Sequence, residues 1–150
     1  MTVAPRKVLI MGLPGSGKTT LASALAPRLR AVHFNADEVR AHINKDLGFA
    51  IADRIEQAAR MGFLCDLALR AGHSAVADFV CPTPETRAAF GAQFVVWVDR
   101  IEAGRFADTN RLFVPPRRVH VRVTPGDAPE TWADRIATQL KAPAQPAAGS

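Results

Sequence analysis

The chain shows two hydrophobic patterns in alternation, short apolar runs and longer stretches with apolar residues at helical spacing. The run Lys7–Met11 is typical of a buried strand, whereas Asp53–Arg70 repeats apolar residues at close to helical spacing. The predicted strands cover residues 7–11, 31–35, 74–80, 93–98 and 119–123. The predicted helices cover residues 20–26, closed by 27–30, then 37–47, 53–70, a short helix starting at 82–85, and 130–140. Strands alternating with helices predict an α/β fold with a parallel sheet covered on both faces.

Two segments lack this periodicity. Residues 100–116 are rich in Arg, Asn, Asp and Pro, a composition typical of a mobile loop over a binding site. Residues 142–150 are of low complexity and are predicted to be a disordered tail. We therefore expect a single domain over residues 1–141, with a lid at about 100–118.

Composition limits the functional classes. The chain has 150 residues, of which 48% are hydrophobic and 22% charged, as expected for one soluble domain. The formal net charge is +5, and six arginines lie between Arg100 and Arg122. Such an excess suits either nucleic acid or a pocket for anionic substrates. Cys65 and Cys81 lack metal-ligand spacing, and no leader or membrane-spanning run is evident, so a cytoplasmic protein is expected. The four histidines show no ligand spacing and are assigned no chemistry.

The stretch Gly12–Thr19 fits G-x-x-x-x-G-K-[ST], a phosphate-binding loop, between a predicted strand and a predicted helix. Glycines let backbone N–H groups turn inward around a polyphosphate, and the helix directs its positive N-terminal end at the same anion. Lys18 is expected to reach the outer phosphates of ATP, and the Thr19 hydroxyl is expected to bind Mg²⁺. The predicted nucleotide-binding residues are Gly12, Pro14, Gly15, Ser16, Gly17, Lys18, Thr19 and Thr20.

Two carboxylates follow or end predicted strands, at the sheet edge where ligands bind in such folds. Asp37 follows the second strand, where it could accept a proton from a hydroxyl, organise Mg²⁺, or cap a helix. Asp78 lies in the otherwise apolar third strand, where a buried charge is costly unless paired or near a metal. It is therefore expected to be a partner of Lys18 or Thr19, or an organiser of Mg²⁺.

Residues 37–49, Asp-Glu-Val-Arg-Ala-His-Ile-Asn-Lys-Asp-Leu-Gly-Phe, and then Asp53-Arg54 resemble the adenylylsulfate (APS) kinase family. That family carries D-G-D-N-V-R, N-K-D-L-G-F-S and D-R-x-E-N-I-R-R, and the resemblance covers about residues 7–99. It implies a nucleoside-kinase-like P-loop NTPase fold, three-layer α/β/α with a five-stranded parallel sheet. It also implies transfer of the ATP γ-phosphoryl group to the ribose 3′-hydroxyl of APS, and a homodimer.

The resemblance also implies roles for individual residues. Asp37 would act as the base or Mg²⁺-organising carboxylate. Arg40 and Arg54 would bind the phosphosulfate and Phe49 would stack on the adenine. Gln57, Cys81 and Pro82 stand at substrate-contacting positions, and Arg60 would lie nearby. In the lid, Arg105 and Arg111 are expected to stabilise charge on the transferring group.

The chain departs from the family pattern at several positions. Asn35 and Ala36 replace Asp and Gly, Asp78 replaces a small residue, and the lid is short. The run from Ala77 to Arg87 also resembles a broader kinase group that includes polynucleotide kinases. Two alternatives therefore stay open: a kinase acting on polynucleotides or another small molecule, and a nucleotide-binding protein without a phosphoryl acceptor.

Overall fold

A computed structural model describes residues 4–102 and 107–141 of the chain. Within these ranges the strands are β1 (Lys7–Met11), β2 (Val32–Asn35), β3 (Ala75–Asp78), β4 (Phe94–Val98) and β5 (Val121–Val123). The helices are α1 (Lys18–Leu29), α2 (Ala36–His42), α3 (Ile51–Arg70), α4 (Pro84–Phe90), α5 (Ala107–Leu112) and α6 (Pro129–Lys141). All neighbouring strands run parallel, in the order β2-β3-β1-β4-β5. The predicted α/β fold with a five-stranded parallel sheet is confirmed.

Helices cover both faces of the sheet. Because side chains alternate along a strand, β1 directs Val8 and Ile10 to one face and Leu9 and Met11 to the other. The first pair packs with α1 and α6, and the second packs with residues of α2, α3 and α4. The result is a three-layer α/β/α arrangement in which β1 is buried on both sides.

The sheet order places the crevice for a ligand. From β1 the chain crosses to β2 and β3 on one side of it, and later to β4 and β5 on the other. In open parallel sheets, ligands bind outside the carboxyl ends of the strands, at the point where the chain changes from adding strands on one side to adding them on the other. The loops after β1, β2 and β3 therefore face one crevice.

The second helix is shorter than the pattern predicted. Helix α2 ends at His42, whereas the sequence, with charges at both ends of the stretch, predicted a helix over residues 37–47. Asn44 is buried, and its amide donates to Gln57 Oε1 at 2.7 Å. This contact joins the residues after α2 to α3.

The segment predicted to be irregular contains a helix. Within residues 100–116, α5 spans Ala107–Leu112, while residues 103–106, including Arg105, lie outside the described residues. Thr109 is buried at 6% exposure, and the Phe113 ring lies 6.5 Å from that of Trp97. These two inward contacts stabilise a turn of helix that the polar composition did not predict.

The end of the first helix and the C-terminal tail were also predicted from the sequence. Residues 27–30 were expected to close the first helix, and α1 runs through Pro27 to end at Leu29 with Arg30 as its C-cap. The tail 142–150 lies outside the described residues, and its predicted disorder stays a prediction. No helix in residues 4–102 or 107–141 combines the length and apolarity needed to cross a bilayer.

The packing of α3 on α4 predicts the effect of one substitution. Gly62 is buried where α3 crosses the end of α4, and a Cβ there would overlap the carbonyl oxygen of Phe90. Helix propensity alone makes Gly62→Ala stabilising by about 1 kcal/mol. The overlap with rigid backbone should reverse the sign and lower the free energy of unfolding by about 1–3 kcal/mol.

Urea unfolding followed by circular dichroism measures this change. Ala88→Gly, at an exposed position of α4, serves as the control for propensity alone. An unfolding free energy of Gly62→Ala equal to or above that of the wild type would contradict the close packing of α3 on α4.

Candidate functional site

The loop between β1 and α1 is shaped to surround an anion. Gly12, Gly15 and Gly17 have φ values of 153°, 83° and 104°, in the left-handed half of conformational space that favours glycine. A Cβ at Gly12 would lie 2.6 Å from the carbonyl oxygen of Val98, so the loop also approaches β4 closely. Lys18 Nζ donates to Leu13 O at 2.9 Å, which lays the ammonium group across the loop.

The helix that follows the loop carries an uncompensated N-terminus. Helix α1 has no acidic residue in its first turn, and its N-cap, Gly17, has no side chain to accept a hydrogen bond. The buried hydroxyl of Ser16 makes no hydrogen bond to any described residue. Helix N–H groups and an unused hydroxyl at one place favour a negatively charged group there.

An acidic centre lies beside this loop. Asp78, at the end of β3, is only 2% exposed. Its Oδ1 accepts from Thr19 Oγ1 at 2.8 Å and from Asn35 Nδ2 at 3.0 Å, and its Oδ2 lies 2.5 Å from His33 Nε2. The buried charge is therefore met by three polar partners, one of which is the Thr19 hydroxyl expected from the sequence.

His33 contacts Asp78 without lining the crevice, and the sequence analysis missed it. It was assigned no chemistry because the four histidines show no ligand spacing along the chain. Its approach to Asp78 depends on the register of β2 against β3, because Asn35 pairs with Asp78 and His33 lies on the same side of β2 as Asn35. The crevice residues that were not predicted as site residues are Asn35, Ala36, Phe79, Val80 and Thr109.

Asp37 lies in the first turn of α2 and is exposed at the edge of the crevice. The structure does not use it as the helix N-cap. That position belongs to Asn35, whose side chain accepts from the N–H of Glu38 at 2.9 Å. The Asp37 carboxylate is therefore not committed to capping.

Two arginines hold the segment that presents Phe49. Arg40 Nη1 donates to Leu47 O at 3.2 Å and to Gly48 O at 2.7 Å, and Arg54 Nε donates to Phe49 O at 2.9 Å. Their guanidinium carbons lie 4.4 and 5.6 Å from the centre of the Phe49 ring. Burial lowers the pKa of Arg40, against the opposing charges of Asp37 and Asp53. The exposed ring thus lies between two cationic groups.

Gln57 and Cys81 form part of the crevice wall. Gln57 is buried, and its Nε2 donates to Ala36 O at 3.2 Å. Cys81 has φ of 47° just after β3, and burial raises the pKa of its thiol to about 12. A thiol that stays protonated at neutral pH is a wall residue rather than a nucleophile.

The short lid is attached to this wall. Arg87 donates to the carbonyl oxygens of Cys81, Pro82 and Val114, and Val114 N donates to Pro82 O at 2.7 Å. Above the crevice, Arg54 Nη2 lies 3.4 Å from Thr109 Oγ1 of α5. The described part of the lid is therefore joined to the crevice from two directions.

These elements enclose one cavity of about 610 Å³. The predicted site residues that line it are Pro14, Gly15, Gly17, Lys18, Thr19, Asp37, Arg40, Phe49, Arg54, Gln57, Asp78, Cys81 and Pro82. Gly12, Ser16, Thr20 and Arg111 were also predicted and do not line it, and Arg105 lies outside the described residues. The described residues contain no cluster of three His, Cys, Asp or Glu side chains fit to hold a metal by themselves.

The chain matches known proteins along most of this region. A family model described as adenylylsulphate kinase matches residues 4–101. The adenylyl-sulfate kinase of Synechococcus sp. (strain JA-3-3Ab) is 37% identical over 101 residues, covering 61% of this chain and 57% of the relative. That of Shewanella sp. (strain ANA-3) is 41% identical over 88 residues, covering 55% and 43%. The chain thus spans about half the length of the curated relatives it matches.

A solved structure with the same fold covers nearly the whole chain. The Mycobacterium tuberculosis APS kinase, in complex with AMPPNP and APS, superposes with a TM-score of 0.80. The alignment covers 94% of this chain and 100% of that chain at 23% identity, a level that supports the fold alone. The family model spans the phosphate loop, the acidic centre and the arginine-flanked Phe49, and the chain belongs to the adenylylsulphate kinase family.

Proposed function

We propose that this protein is an ATP-dependent kinase that transfers the γ-phosphoryl group of Mg-ATP to the 3′-hydroxyl of APS. The observation that carries the proposal is the single cavity in which the phosphate loop, Asp37 and the arginine-flanked ring of Phe49 meet. Family membership and the AMPPNP and APS complex of the tuberculosis enzyme support these two ligands.

The donor nucleotide is assigned to the phosphate loop. Backbone N–H groups of residues 12–19 and the N-terminus of α1 would surround the phosphates, with Thr20 in the first turn. Lys18 would exchange its bond to the Leu13 carbonyl for the outer phosphates. Ser16 would use its unpartnered hydroxyl in the same way.

The residues present also fit a magnesium ion. Mg²⁺ prefers oxygen ligands and keeps several waters, and Thr19 Oγ1 with the neighbouring Asp78 carboxylate offers oxygen donors beside the phosphate loop. Asp37 faces the same cavity and would organise metal-bound water. The ion, when bound, neutralises charge on the phosphates of ATP.

The acceptor is assigned to the opposite wall. Phe49 is 67% exposed, which leaves its ring available for stacking on adenine. Arg40 and Arg54 supply positive charge for the phosphosulfate, and Gln57, Cys81 and Pro82 supply the wall. The backbone carbonyls that these arginines bind fix their orientation before the substrate arrives.

Transfer requires one bond to form and one to break. The acceptor oxygen attacks the γ-phosphorus, the bond from that phosphorus to the bridging oxygen breaks, and ADP leaves. Asp37, which is exposed in the cavity and not used as a cap, would take the hydroxyl proton. Arg111 on α5, together with Arg105, would approach the transferring group from the lid.

The alternatives have less support. Two arginines of the basic stretch 100–122 already contact other residues of the chain. Arg122 pairs with Asp99 at 2.5 Å, and Arg100 Nη1 lies 3.4 Å from Ser16 O. A polynucleotide substrate gains no support from the family. A binding protein without an acceptor would leave Asp37, Arg40 and Phe49 at the cavity without a use.

The cytoplasmic location and the homodimer stay predictions.

Direct assay of transfer tests the proposal. Wild-type protein with Mg-ATP should convert APS to 3′-phosphoadenylyl sulfate, detected with γ-labelled ATP. Lys18→Ala supplies the background, because it removes the ammonium group from the phosphate loop. ATP hydrolysis without labelled product would rule out APS as acceptor while keeping phosphoryl chemistry, and absence of both would favour the binding-protein alternative.

Asp37→Asn should lower kcat by about 100-fold or more, because the amide cannot take the hydroxyl proton. ATP binding, measured by calorimetry, should stay near the wild-type value. Glu38→Gln is the matched control, since Glu38 is adjacent and exposed but does not line the cavity. A kcat within a few-fold of wild type would remove Asp37 from the proton transfer.

Phe49→Ala should weaken binding of APS by about tenfold, because loss of a base-stacking ring costs about 1–3 kcal/mol. Binding of ATP should change little, as the ring lies at the acceptor wall. Phe63→Ala is the matched control, since this phenylalanine is 54% exposed on α3 and does not line the cavity. An equal loss of affinity for APS and for ATP would contradict the stacking role.

A further inference from the structure

Helix α3 carries three polar residues at a spacing of three, Arg54, Gln57 and Arg60. Residues three apart in a helix are neighbours on its surface, so these side chains reach the same part of the chain. Arg54 binds the carbonyl oxygen of Phe49. The other two bind residues that precede Phe49, and Gln57 also binds the start of α2.

Gln57 holds α2 at both of its ends. Its Nε2 donates to the carbonyl oxygen of Ala36, the first residue of the helix, at 3.2 Å. Its Oε1 accepts from Nδ2 of Asn44, two residues after the helix, at 2.7 Å. Both side chains are buried, with exposures of 2% and 1%. One side chain thus spans α2, from the residue before Asp37 to the start of the segment that leads to Phe49.

Arg60 fixes the direction of these hydrogen bonds. Its Nη1 lies 3.3 Å from Asn44 Oδ1, so the bonds run from the guanidinium through two amides to the Ala36 carbonyl. A guanidinium only donates and a carbonyl only accepts, so reversal of either amide would place donor against donor and acceptor against acceptor. The orientation of Gln57 is therefore set by the chain itself.

Arg60 also holds the segment that follows Asn44. Its Nη1 and Nη2 donate to Oδ1 and Oδ2 of Asp46 at 2.8 and 3.0 Å, and Leu47 N donates to Asn44 O at 3.1 Å. Asn44, Asp46 and Arg60 do not line the cavity. Residues behind the wall affect a bound ligand through the position of the residues in front of them.

Helix α2 has little apolar packing to fix it otherwise. Of its seven residues, Ala36 and Val39 are the buried ones. Two buried amides cost free energy that apolar side chains would not, unless their polar atoms are paired. When they are paired, as here, they define one geometry, because each bond has a required length and direction.

We propose that Gln57 is a positioning residue that sets the separation of two parts of the site. Through Ala36 it places Asp37, and through Asn44 it places the segment that carries Phe49. The inference rests on the proposed function, in which Asp37 takes the proton of the acceptor and Phe49 stacks on its base.

Steady-state kinetics with APS and ATP separate the two contacts. Asn44→Ala breaks the contact to the Phe49 segment and keeps the contact to Ala36, so the KM for APS should rise about tenfold with kcat within about threefold of wild type. Gln57→Met breaks both contacts at similar side-chain length, so kcat should also fall about tenfold, because displacing a reacting group is costly. The KM for ATP should stay near wild type in both variants.

The double variant tests whether both effects pass through one residue. Gln57→Met already lacks the partner of Asn44, so the addition of Asn44→Ala should change the KM for APS by no more than about threefold. Independent contributions would instead multiply, to a rise of about 100-fold over wild type.

A second variant keeps the test open if the buried substitutions prevent folding. The Arg60 side chain is 35% exposed, and Arg60→Met should raise the KM for APS about fivefold with little change in kcat, because Asn44 and Asp46 lose their partner. Arg70→Met, at an exposed position of the same helix, is the control for loss of one positive charge.

Lys7→Met is the control for loss of a buried polar contact to α3. Lys7 is buried, and its Nζ donates at 2.9 Å to Asp66, in the half of α3 farther from Gln57. This variant should lower the unfolding temperature and leave kcat and both KM values within about twofold of wild type, because its contact lies away from the cavity.

Three results would overturn the proposal. The first is an unchanged KM for APS in Asn44→Ala, or in Arg60→Met relative to Arg70→Met. The second is a double variant whose effect on this KM equals the product of the single effects. The third is a loss of activity in Gln57→Met no larger than that in Lys7→Met at the same loss of stability.

Amide hydrogen exchange needs no substrate and separates this inference from the proposed function. Gln57→Met should speed exchange in residues 36–42 and 43–49, whereas Asn44→Ala should speed it in 43–49 alone. This pattern in a protein that does not phosphorylate APS would reject the proposed function and keep the placement of both segments by Gln57. Efficient transfer to APS with unchanged exchange in both variants would keep the function and reject the positioning role.

Discussion

The hydrogen bond between Thr19 and Asp78 joins the two halves of this site. Thr19 lies in the first turn of the helix that follows the phosphate loop, and Asp78 ends the strand next to β1. Their 2.8 Å contact fixes the loop to the sheet at the point where the carboxyl ends of three strands converge. The cost of burying Asp78 is offset by the polar partners around it, which makes the strand order and the site interdependent.

From this point the cavity extends toward the lid and the acceptor wall. The segment around Phe49 is held by arginines through backbone carbonyls, and the segment after α5 is held by Arg87 in the same manner. Burial lowers the pKa of Arg87, although a guanidinium remains charged at neutral pH. A short lid can therefore be fixed by a few charged hydrogen bonds rather than by a large apolar contact.

Much of this architecture could be predicted because it is local in sequence. The glycines around Gly12 directly predict the turn between the first strand and the first helix. The short apolar runs predict buried strands, and the predicted sheet is present. The missed features depend on contacts between distant residues. The contact of His33 with Asp78 requires the register of β2 against β3, α5 requires the packing of Thr109 and Phe113, and the contact of Asn44 requires the approach of α3. No periodicity within one segment contains that information.

We propose that one cavity binds both substrates around the Thr19–Asp78 contact. A crystal structure of the protein with Mg²⁺, AMPPNP and APS tests it most directly. We expect a metal held by Thr19 and Asp78, and the adenine of APS against the Phe49 ring. A metal without contact to either residue, or APS bound away from Phe49, would contradict it.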